Sequence, residues 1–327
     1  MKRTTTALLL AVVCAAALLG VRTVAAGAST GSVLHTAVAI SDSAAHAARD
    51  ELTAGKAVVL GLVEGITEFL PISSTGHLLV TQRLLDVGTT SATKDAADTY
   101  AIVIQAGAIL AVLVLYWRRV LELFAGLRGK SAEGRRILVA ILIAFVPSAV
   151  VGVVGDKTIK AHLLEPIPVA IAWILGAIAI FAVGSRLHQR GASGGRALGA
   201  ITTRDAVVVG LAQVLALWPG TSRSLVTILA ALIVGLDLAA AVEFSFLLGL
   251  LTLSAATAYD LLKHGSELFS TYGVVNPLIG FVVAFVAAVA AVRWMVTYLQ
   301  RHDLSIFAWY RLIAAAITIV LVVVGTI

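Results

Sequence analysis

Six long apolar segments constrain the fold of this chain more than any other feature of its sequence. Each is about 18 residues or longer, close to what an α-helix needs to cross a bilayer. They cover residues 100–117, 137–154, 167–185, 240–262, 275–298 and 307–327. Hydrophobic residues make up 60% of the 327 positions and charged residues only 13%, which excludes an ordinary soluble domain. We therefore predict an all-α polytopic membrane protein.

A further apolar stretch is interrupted and carries polar chemistry. Residues 61–78 read GLVEGITEFLPISSTGHL, and Glu64 and Glu68 share one face of a helix because they are four positions apart. Pro71 removes a backbone donor and should end that helix. The hydroxyl residues after it are types that cap a new helix, and His77 would lie one turn into that helix. Ionisable groups inside a membrane are costly and mark functional sites, so we predict a reaction or transport site here.

The second interrupted stretch, residues 206–234, breaks at Pro219 and Gly220 and continues as Thr-Ser-Arg-Ser. Arg223 is a lone cation in an apolar run and needs an anionic partner; its planar fork suits phosphate. The start of a half-helix also attracts anions through its free N–H groups and its dipole. Residues 73–76 offer the same arrangement in the first stretch, so two such tips would form a phosphate cradle.

The two interrupted stretches indicate an internal repeat. Residues 58–64 align with residues 207–213, and each stretch continues to a proline, a Ser/Thr cluster and three apolar segments. Because three is odd, the second copy would lie upside down relative to the first, as in inverted-topology repeats. We predict a single membrane domain over residues 56–327, with repeat one at about 56–187 and repeat two at about 205–327.

The N-terminus has the features of a secretory signal. Residues 1–28 combine a basic start, an apolar core and the A-x-A-like site Ala26-Gly27-Ala28, which predicts a cleaved signal peptide; an uncleaved anchor is the alternative. Residues 29–55 follow as a polar spacer. The arginine-rich loops at 118–136 and 186–204 should be cytoplasmic, so the first interrupted stretch would open outward. Because basic residues lie in such short loops, the net charge of +6 does not indicate nucleic-acid binding.

EGITEFLPISSTGH and PGTSRS together resemble the two signature motifs of the undecaprenyl-diphosphate phosphatases, the bacitracin-resistance membrane family. The likeness covers about residues 58–327 and includes the runs 104–110 and 244–248. It implies re-entrant helices in an inverted repeat within the bacterial plasma membrane. It also implies hydrolysis of undecaprenyl diphosphate to the monophosphate and inorganic phosphate at the outer face. That reaction recycles the lipid carrier of cell-wall synthesis and confers resistance to bacitracin, which competes for the lipid diphosphate.

The resemblance also implies cofactors and roles. A divalent cation, Mg²⁺ or Ca²⁺, is expected and an organic cofactor is not, while a homodimer is left open. We predict that Ser74 attacks phosphorus and that His77, one turn away, takes or relays its proton. Arg223 would stabilise the transferring phosphoryl group, and Glu64 and Glu68 would hold the cation or orient His77 and water. The other predicted phosphate contacts are Ser73, Thr75, Gly76, Thr221 and Ser222.

Several alternatives stay open. Water could attack directly with Ser74 only as a phosphate ligand, and the glutamates could form a buried polar network that closes on Arg223. The hydroxyl residues could be plain helix caps. Inverted repeats with midplane breaks are typical of transporters, so the protein could instead flip a phospholipid carrier. A phosphatidic-acid-type phosphatase lacks support because its flanking motifs are not found. Leu225 stands where the family usually has glycine.

Overall fold

Helices form nearly all of the regular structure in the residues that the structure describes. The computed structural model describes residues 51–90, 93–190 and 194–327, so the predicted signal peptide and most of the predicted spacer lie outside the described residues. These ranges contain eleven α-helices and two short 3-10 helices, Leu198–Ala200 and Val214–Leu217. The α-helices are α1 (Ala54–Thr67), α2 (Ser74–Leu84), α3 (Lys94–Leu115), α4 (Trp117–Leu127), α5 (Ala132–Leu163), α6 (Pro166–Arg190), α7 (Thr203–Gln213), α8 (Arg223–Ile233), α9 (Leu238–Tyr272), α10 (Val275–Leu299) and α11 (Ser305–Val323).

The six predicted apolar segments all form helices that are long and apolar enough to cross a membrane. They are α3, α10 and α11 along their whole length, and Ala132–Gly155, Pro166–Gly184 and Leu238–Leu262 within α5, α6 and α9. The prediction of an all-α polytopic membrane protein is therefore confirmed. Helix α3 begins at Lys94, ahead of the predicted residue 100, because a polar first turn can still be helical. Asp95 in that turn interacts favourably with the positive end of the helix dipole.

Both interrupted stretches form two short helices separated by a break. Helix α1 follows the N-cap Thr53 and ends ahead of Pro71, which cannot donate a backbone hydrogen bond. Helix α7 begins with a capping box in which the side chains of Thr202 and Asp205 bond each other's backbone N–H groups. It ends ahead of Pro219, after which the chain resumes as α8. The prolines therefore mark the breaks, as predicted from the sequence.

Polar contacts between the connecting segments define two ends of the helical domain. At the first end, Asn276 donates a 2.6 Å hydrogen bond to the carbonyl of Leu52. Further contacts at the first end join Arg83 with Glu165, Gly88 with Glu51, and Tyr272 with Thr93. At the second end, Arg119 pairs with Glu243 at 2.6 Å. Further contacts at the second end join Arg136 with Gly199, and Arg196 with Asp205 and Val234. The outer termini of α1 and α2 thus lie at the first end, and those of α7 and α8 at the second.

Helix α1 lies against α10 at a distance that only small residues permit. A Cβ atom added at Gly61 would lie 2.5 Å from the carbonyl oxygen of Gly280, and one added at Gly65 would lie 2.7 Å from the Cβ atom of Ala287. Contacts between small residues are a common basis of helix association in membranes. The adjoining face of α1 carries Glu64, which is only 1% exposed. The close packing therefore brings a carboxylate into the protein interior.

Candidate active site

The two breaks touch each other in the interior of the protein. Ser224, in the first turn of α8, donates a 2.9 Å hydrogen bond to the carbonyl of Leu70 in the first break. Both residues are buried. Two segments that are far apart in sequence are therefore in direct contact, and the contact is the one that the phosphate-cradle hypothesis requires.

Ser73 and Ser222 hold the same unusual backbone conformation immediately before α2 and α8. Their φ and ψ angles are 74° and 103° for Ser73 and 75° and 113° for Ser222. A positive φ in a residue with a Cβ atom costs about 1–3 kcal/mol and is concentrated at functional sites. The first backbone N–H groups of a helix have no partner within that helix, so each serine precedes a set of donors suited to an anion.

A row of three side chains crosses from the first break to the second. The Ser74 hydroxyl donates a hydrogen bond to Oε2 of Glu68. The other carboxylate oxygen of Glu68 forms an ion pair with Nη2 of Arg223 at 3.6 Å. The side chains of Arg223 and Glu68 are only 9% and 6% exposed. Three of the predicted site residues are therefore brought together, with a carboxylate beside the serine.

His77 makes different contacts from those predicted. Its Nδ1 lies 2.6 Å from the carbonyl oxygen of Ser73, and its Nε2 lies 2.9 Å from the hydroxyl of Tyr310. A carbonyl oxygen can only accept, so Nδ1 carries a proton, and in a neutral ring Nε2 would accept from the hydroxyl of Tyr310. The ring also packs against Tyr310 and Trp173, at centroid distances of 5.5 and 4.7 Å. The expected pairing of His77 with Ser74 is therefore replaced by a pairing of Ser74 with Glu68.

Several buried polar atoms in and beside this row lack a hydrogen bond, although Nη2 of Arg223 keeps its 3.6 Å ion pair with Glu68. Both carboxylate oxygens of Glu64, and Nε and Nη2 of Arg223, are buried without a hydrogen-bond partner among the described residues. An unsatisfied buried polar atom costs about 1–3 kcal/mol, so a group of them points to a ligand that supplies the missing partners. A phosphate would accept hydrogen bonds from Arg223, and a cation would bind the oxygens of Glu64.

The carboxylates of Glu64 and Glu68 suit a hard divalent cation. Both are buried, Glu64 in the last turn of α1 and Glu68 directly after its end, and Gln105 of α3 is a further neighbour of Glu68. No cluster of three or more His, Cys, Asp or Glu side chains with metal-binding geometry occurs in the part of the chain that the structure describes. Carboxylate oxygens are ligands of Mg²⁺, which usually takes one or two carboxylates together with water and substrate phosphates.

Helix α9 orients Arg223. Nη1 of Arg223 donates a 2.8 Å hydrogen bond to the carbonyl of Ser245, and a Cβ atom added at Gly249 would collide with the guanidinium. The guanidinium carbon also lies 5.4 Å from the ring centre of Phe69, within cation–π distance. The run 244–248, which contributed to the family resemblance, thus forms part of the surroundings that hold the guanidinium of Arg223.

The remaining predicted phosphate contacts differ in how far they are buried and in what they touch. Ser222 caps α8 by accepting a 3.3 Å hydrogen bond from the backbone N–H of Leu225, so this cap is compatible with leucine at that position. Thr75 is exposed, whereas Gly76 is buried. A Cβ atom added at Gly76 would lie 2.7 Å from the ring of Trp173, so the glycine allows α2 to pack on α6.

Arg311 was not among the residues predicted from the sequence. It lies within α11 and is 0% exposed. Its guanidinium donates to the carbonyls of Pro71 (3.2 Å), Gly220 (3.0 Å), Thr221 (3.2 Å), Ala172 (2.9 Å) and Trp173 (3.1 Å). One side chain therefore joins both breaks to α6. The available signal was an arginine inside an apolar segment, because such a cation needs interior partners.

Comparison with known proteins identifies the family that carries this site. Residues 57–317 match the family described as Bacitracin resistance protein BacA. The chain belongs to the BacA family. One relative, Undecaprenyl-diphosphatase 2 of Rhodospirillum rubrum, is 47% identical over 257 residues, which cover 79% of this chain and 90% of the relative. Undecaprenyl-diphosphatase 1 of Paraburkholderia xenovorans is 45% identical over 268 residues, covering 80% and 93%. Undecaprenyl-diphosphatase of Acinetobacter baumannii is 42% identical over 265 residues, covering 81% and 94%.

The match to the BacA family includes every candidate site residue from Glu64 to Arg311. The resemblance that the two motifs suggested is therefore confirmed. The match begins at residue 57, after the predicted signal peptide and the predicted spacer. The site described above thus lies wholly within the part of the chain shared with BacA proteins.

Proposed function

We propose that the chain hydrolyses undecaprenyl diphosphate to undecaprenyl phosphate and inorganic phosphate, and so recycles the lipid carrier of cell-wall synthesis. The three relatives named above are undecaprenyl-diphosphatases, which supports this substrate. The observation that carries the proposal is the buried row of Ser74, Glu68 and Arg223, next to the unpartnered oxygens of Glu64. A nucleophile, a base and a phosphate-binding cation are in contact there, and phosphoryl transfer needs these three groups.

In the proposed reaction, the Ser74 hydroxyl attacks the terminal phosphorus and passes its proton to Glu68. A bond forms between Oγ and phosphorus while the bond from phosphorus to the bridging oxygen breaks, and Glu68 gives the proton to the departing lipid phosphate. Water then attacks the phosphoserine, Glu68 takes a proton from that water, and the proton returns to Oγ as phosphate leaves. Arg223 and the N–H groups at the start of α2 and α8 stabilise the charge on the transferring group. Direct attack by water is the alternative, and it would form no phosphoserine.

His77 has a positioning role in this proposal. Its Nδ1–H group bonds the carbonyl of Ser73, the residue with strained backbone directly before the nucleophile. The imidazole therefore stabilises the conformation that presents the first N–H groups of α2 to the phosphate. Tyr310 covers the other ring nitrogen, and its side chain reaches the surface because the residue is 42% exposed.

A divalent cation, Mg²⁺ or Ca²⁺, is proposed at Glu64 and Glu68. Bound there, it would neutralise charge on the diphosphate and so favour the loss of the lipid phosphate. Two buried carboxylates without enough cationic partners are unfavourable, which supports a cation between them. The proposed chemistry uses no organic cofactor.

The proposed membrane arrangement is an inverted repeat with two re-entrant helix pairs. Two observations support it: the conformation shared by Ser73 and Ser222, and the location of the α1–α2 and α7–α8 outer termini at opposite ends. Three helices able to span a membrane follow each pair, and in the proposed arrangement this odd number turns the second copy upside down. Each broken helix at membrane depth would then be packed in protein, as the bilayer requires.

The proposed location is the bacterial plasma membrane, with the first break open to the outside. The arginine-rich segment 118–136 would then be cytoplasmic. At the outer face the enzyme would compete with bacitracin for the lipid diphosphate, and a homodimer is not needed for the chemistry. A cysteine placed at Lys130, which is exposed, should not react with an impermeant reagent in intact cells. Efficient labelling from outside would reverse the proposed orientation.

Translocation of the lipid carrier is a second candidate function, and one observation favours it. A cavity of about 580 Å³ at the second end is lined by Tyr116, Arg119 and Glu243. The ring of Phe246 contacts the rings of Tyr116 and Phe69, at centroid distances of 5.7 and 5.4 Å. These three rings connect the cavity to the guanidinium of Arg223, which lies over Phe69. In this candidate function, the cavity and the site would be the two sides of a transport path closed by these rings.

Phosphate release distinguishes the two functions. Purified protein in detergent should release inorganic phosphate from undecaprenyl diphosphate, and release should fall when a chelator removes divalent cations. A flippase would move a labelled polyprenyl phosphate across vesicles but would release no phosphate. Absence of release by a folded, cation-supplied protein would overturn the proposed hydrolase.

A further inference from the structure

Helix α4 exposes its apolar side. Leu121, Phe124 and Leu127 are 47%, 50% and 70% exposed, and they lie on one side of the helix together with Trp117. In a water-soluble protein this side would be the one that packs on the core. Helix α4 connects α3 and α5, two helices able to span a membrane, so its exposed apolar side lies beside the ends of both candidate spans.

The polar side of α4 faces the protein instead. Arg119 bonds Glu243 at 2.6 Å, Glu122 at 2.6 Å and Glu133 at 3.1 Å. Gly126 supports the same packing, since a Cβ atom there would collide with the backbone of α5. These contacts fix the rotation of α4, so its apolar side cannot turn inward.

The acidic residues of this region are already neutralised, whereas several basic residues are not. Residues 117–136 contain six basic residues and two acidic ones, and both acidic residues, Glu122 and Glu133, are bonded to Arg119. Four of the basic residues are exposed and form no ion pair within the described ranges. They are Arg118, Arg128, Lys130 and Arg135.

We propose that α4 and the turn to α5 form a docking surface for the headgroups of anionic phospholipids in the adjacent leaflet. The apolar side of α4 inserts at the boundary between headgroups and acyl chains, and the four free cations contact lipid phosphates above it. This combination of exposed apolar residues and adjacent cations is the pattern of helices that lie in the membrane interface. A soluble acidic partner fits less well, because Phe124 and Leu127 would stay exposed to water beside it.

The test compares the lipids that surround the protein. Wild-type protein is reconstituted in vesicles with either spin-labelled phosphatidylglycerol or spin-labelled phosphatidylcholine, and the motionally restricted fraction of each label is measured. A lysine or arginine side chain near an anionic membrane surface contributes about 1 kcal/mol, which corresponds to a roughly fivefold change in the affinity for an anionic lipid. We therefore expect phosphatidylglycerol to be preferred roughly fivefold, and the preference to weaken at high salt.

The double variant Arg128→Gln/Lys130→Gln should lose part of the preference for phosphatidylglycerol. The quadruple variant, which adds Arg118→Gln and Arg135→Gln, should lose most of it. Both substitutions of the double variant lie in the turn after α4, so their effect on lipid preference does not come from a change in the folding of that helix. A matched control replaces four basic residues elsewhere with glutamine. The control residues are Lys56, Arg204, Arg293 and Arg301.

Retention of the preference by the control, with loss in the α4 variants, would support the proposal. Two outcomes would overturn it. One is an unchanged lipid preference in both the double and the quadruple variant. The other is a loss in the control equal to that in the quadruple variant, which would show that only the total charge of the protein matters. Phosphate release in neutral detergent micelles should be unchanged in all variants, because none of these residues touches the candidate active site.

Discussion

The Ser74 hydroxyl donates its hydrogen bond to the Glu68 carboxylate, across the break between α1 and α2. Glu68 is in turn paired with Arg223, so one carboxylate connects the proposed nucleophile with the arginine proposed to bind phosphate. His77 does not compete for this role in the structure, since both of its ring nitrogens have other partners. The glutamate, rather than the histidine, is therefore placed to accept the serine proton.

The Ser74 and Glu68 variants test this assignment. Ser74→Ala and Glu68→Gln should each lower single-turnover phosphate release by about 10³-fold or more, because they remove members of one catalytic unit. The double variant should be little worse than either single variant. Thr81→Ala, which removes another hydroxyl of α2, is the matched control and should remain active. A Ser74→Ala protein within tenfold of wild-type turnover would favour direct attack by water.

Tyr310→Phe tests the positioning role of His77. The substitution removes the hydroxyl partner of Nε2 and keeps the aromatic ring that packs on the imidazole. One neutral hydrogen bond is worth about 1 kcal/mol, so turnover should fall less than about tenfold. His77→Ala should cost considerably more, because it also releases the carbonyl of Ser73. Equal losses in the two variants would indicate that Tyr310 acts in the proton transfer itself.

The two buried arginines should respond differently to replacement by lysine. Arg223→Lys keeps the charge but loses the bidentate fork, so the protein should fold and lose most of its activity. Arg311→Lys cannot reach five carbonyls in three segments, so thermal unfolding should show destabilisation of at least about 3 kcal/mol. An Arg311→Lys protein with normal thermal stability would contradict the role of Arg311 in joining the breaks.

Glu64→Gln tests the cation site. If Glu64 and Glu68 hold a divalent cation, the variant should need a higher cation concentration for half-maximal phosphate release. The wild type should lose activity in chelator and regain it when Mg²⁺ or Ca²⁺ is added. A variant whose activity is low at every cation concentration would instead assign Glu64 to substrate binding. An unchanged cation dependence with full activity would remove Glu64 from the site.

Asp205 supplies a pH-dependent contribution to stability. Partial burial disfavours its charge, but hydrogen bonds from Thr202 and Arg196 outweigh this and hold the pKa of Asp205 below its ordinary value. A lowered folded-state pKa stabilises the fold above the ordinary aspartate pKa, and the contribution is lost as the pH falls through the folded value. Asp205→Asn should therefore lower the thermal unfolding temperature at neutral pH, and the difference from wild type should shrink on acidification. A difference independent of pH would contradict the ionised cap.

The sequence was informative where chemistry is local in the chain. The spacing of Glu64 and Glu68, the prolines at the breaks and the hydroxyls after them predict the half-helices. The pairing of Ser74 with Glu68 was not predicted, because the sequence analysis expected His77 in that place. The partner of His77 could not be predicted in the same way, because Tyr310 comes from α11 and is distant in sequence.

Arg311 was missed for a related reason. It lies in a segment whose hydropathy predicts a simple span, and only the folded chain shows that its guanidinium reaches carbonyls of both breaks. The Cβ position of Gly76 likewise faces Trp173, a neighbour that tertiary packing alone provides.

The most direct measurement is a single turnover with undecaprenyl diphosphate labelled in its terminal phosphate, quenched in acid and followed by peptide analysis. Wild-type protein should release the label as inorganic phosphate and carry it transiently on the peptide that contains Ser74. Folded Ser74→Ala protein should show neither signal. Release of labelled phosphate by Ser74→Ala at the wild-type rate, with no labelled peptide in either protein, would contradict a serine nucleophile at this site.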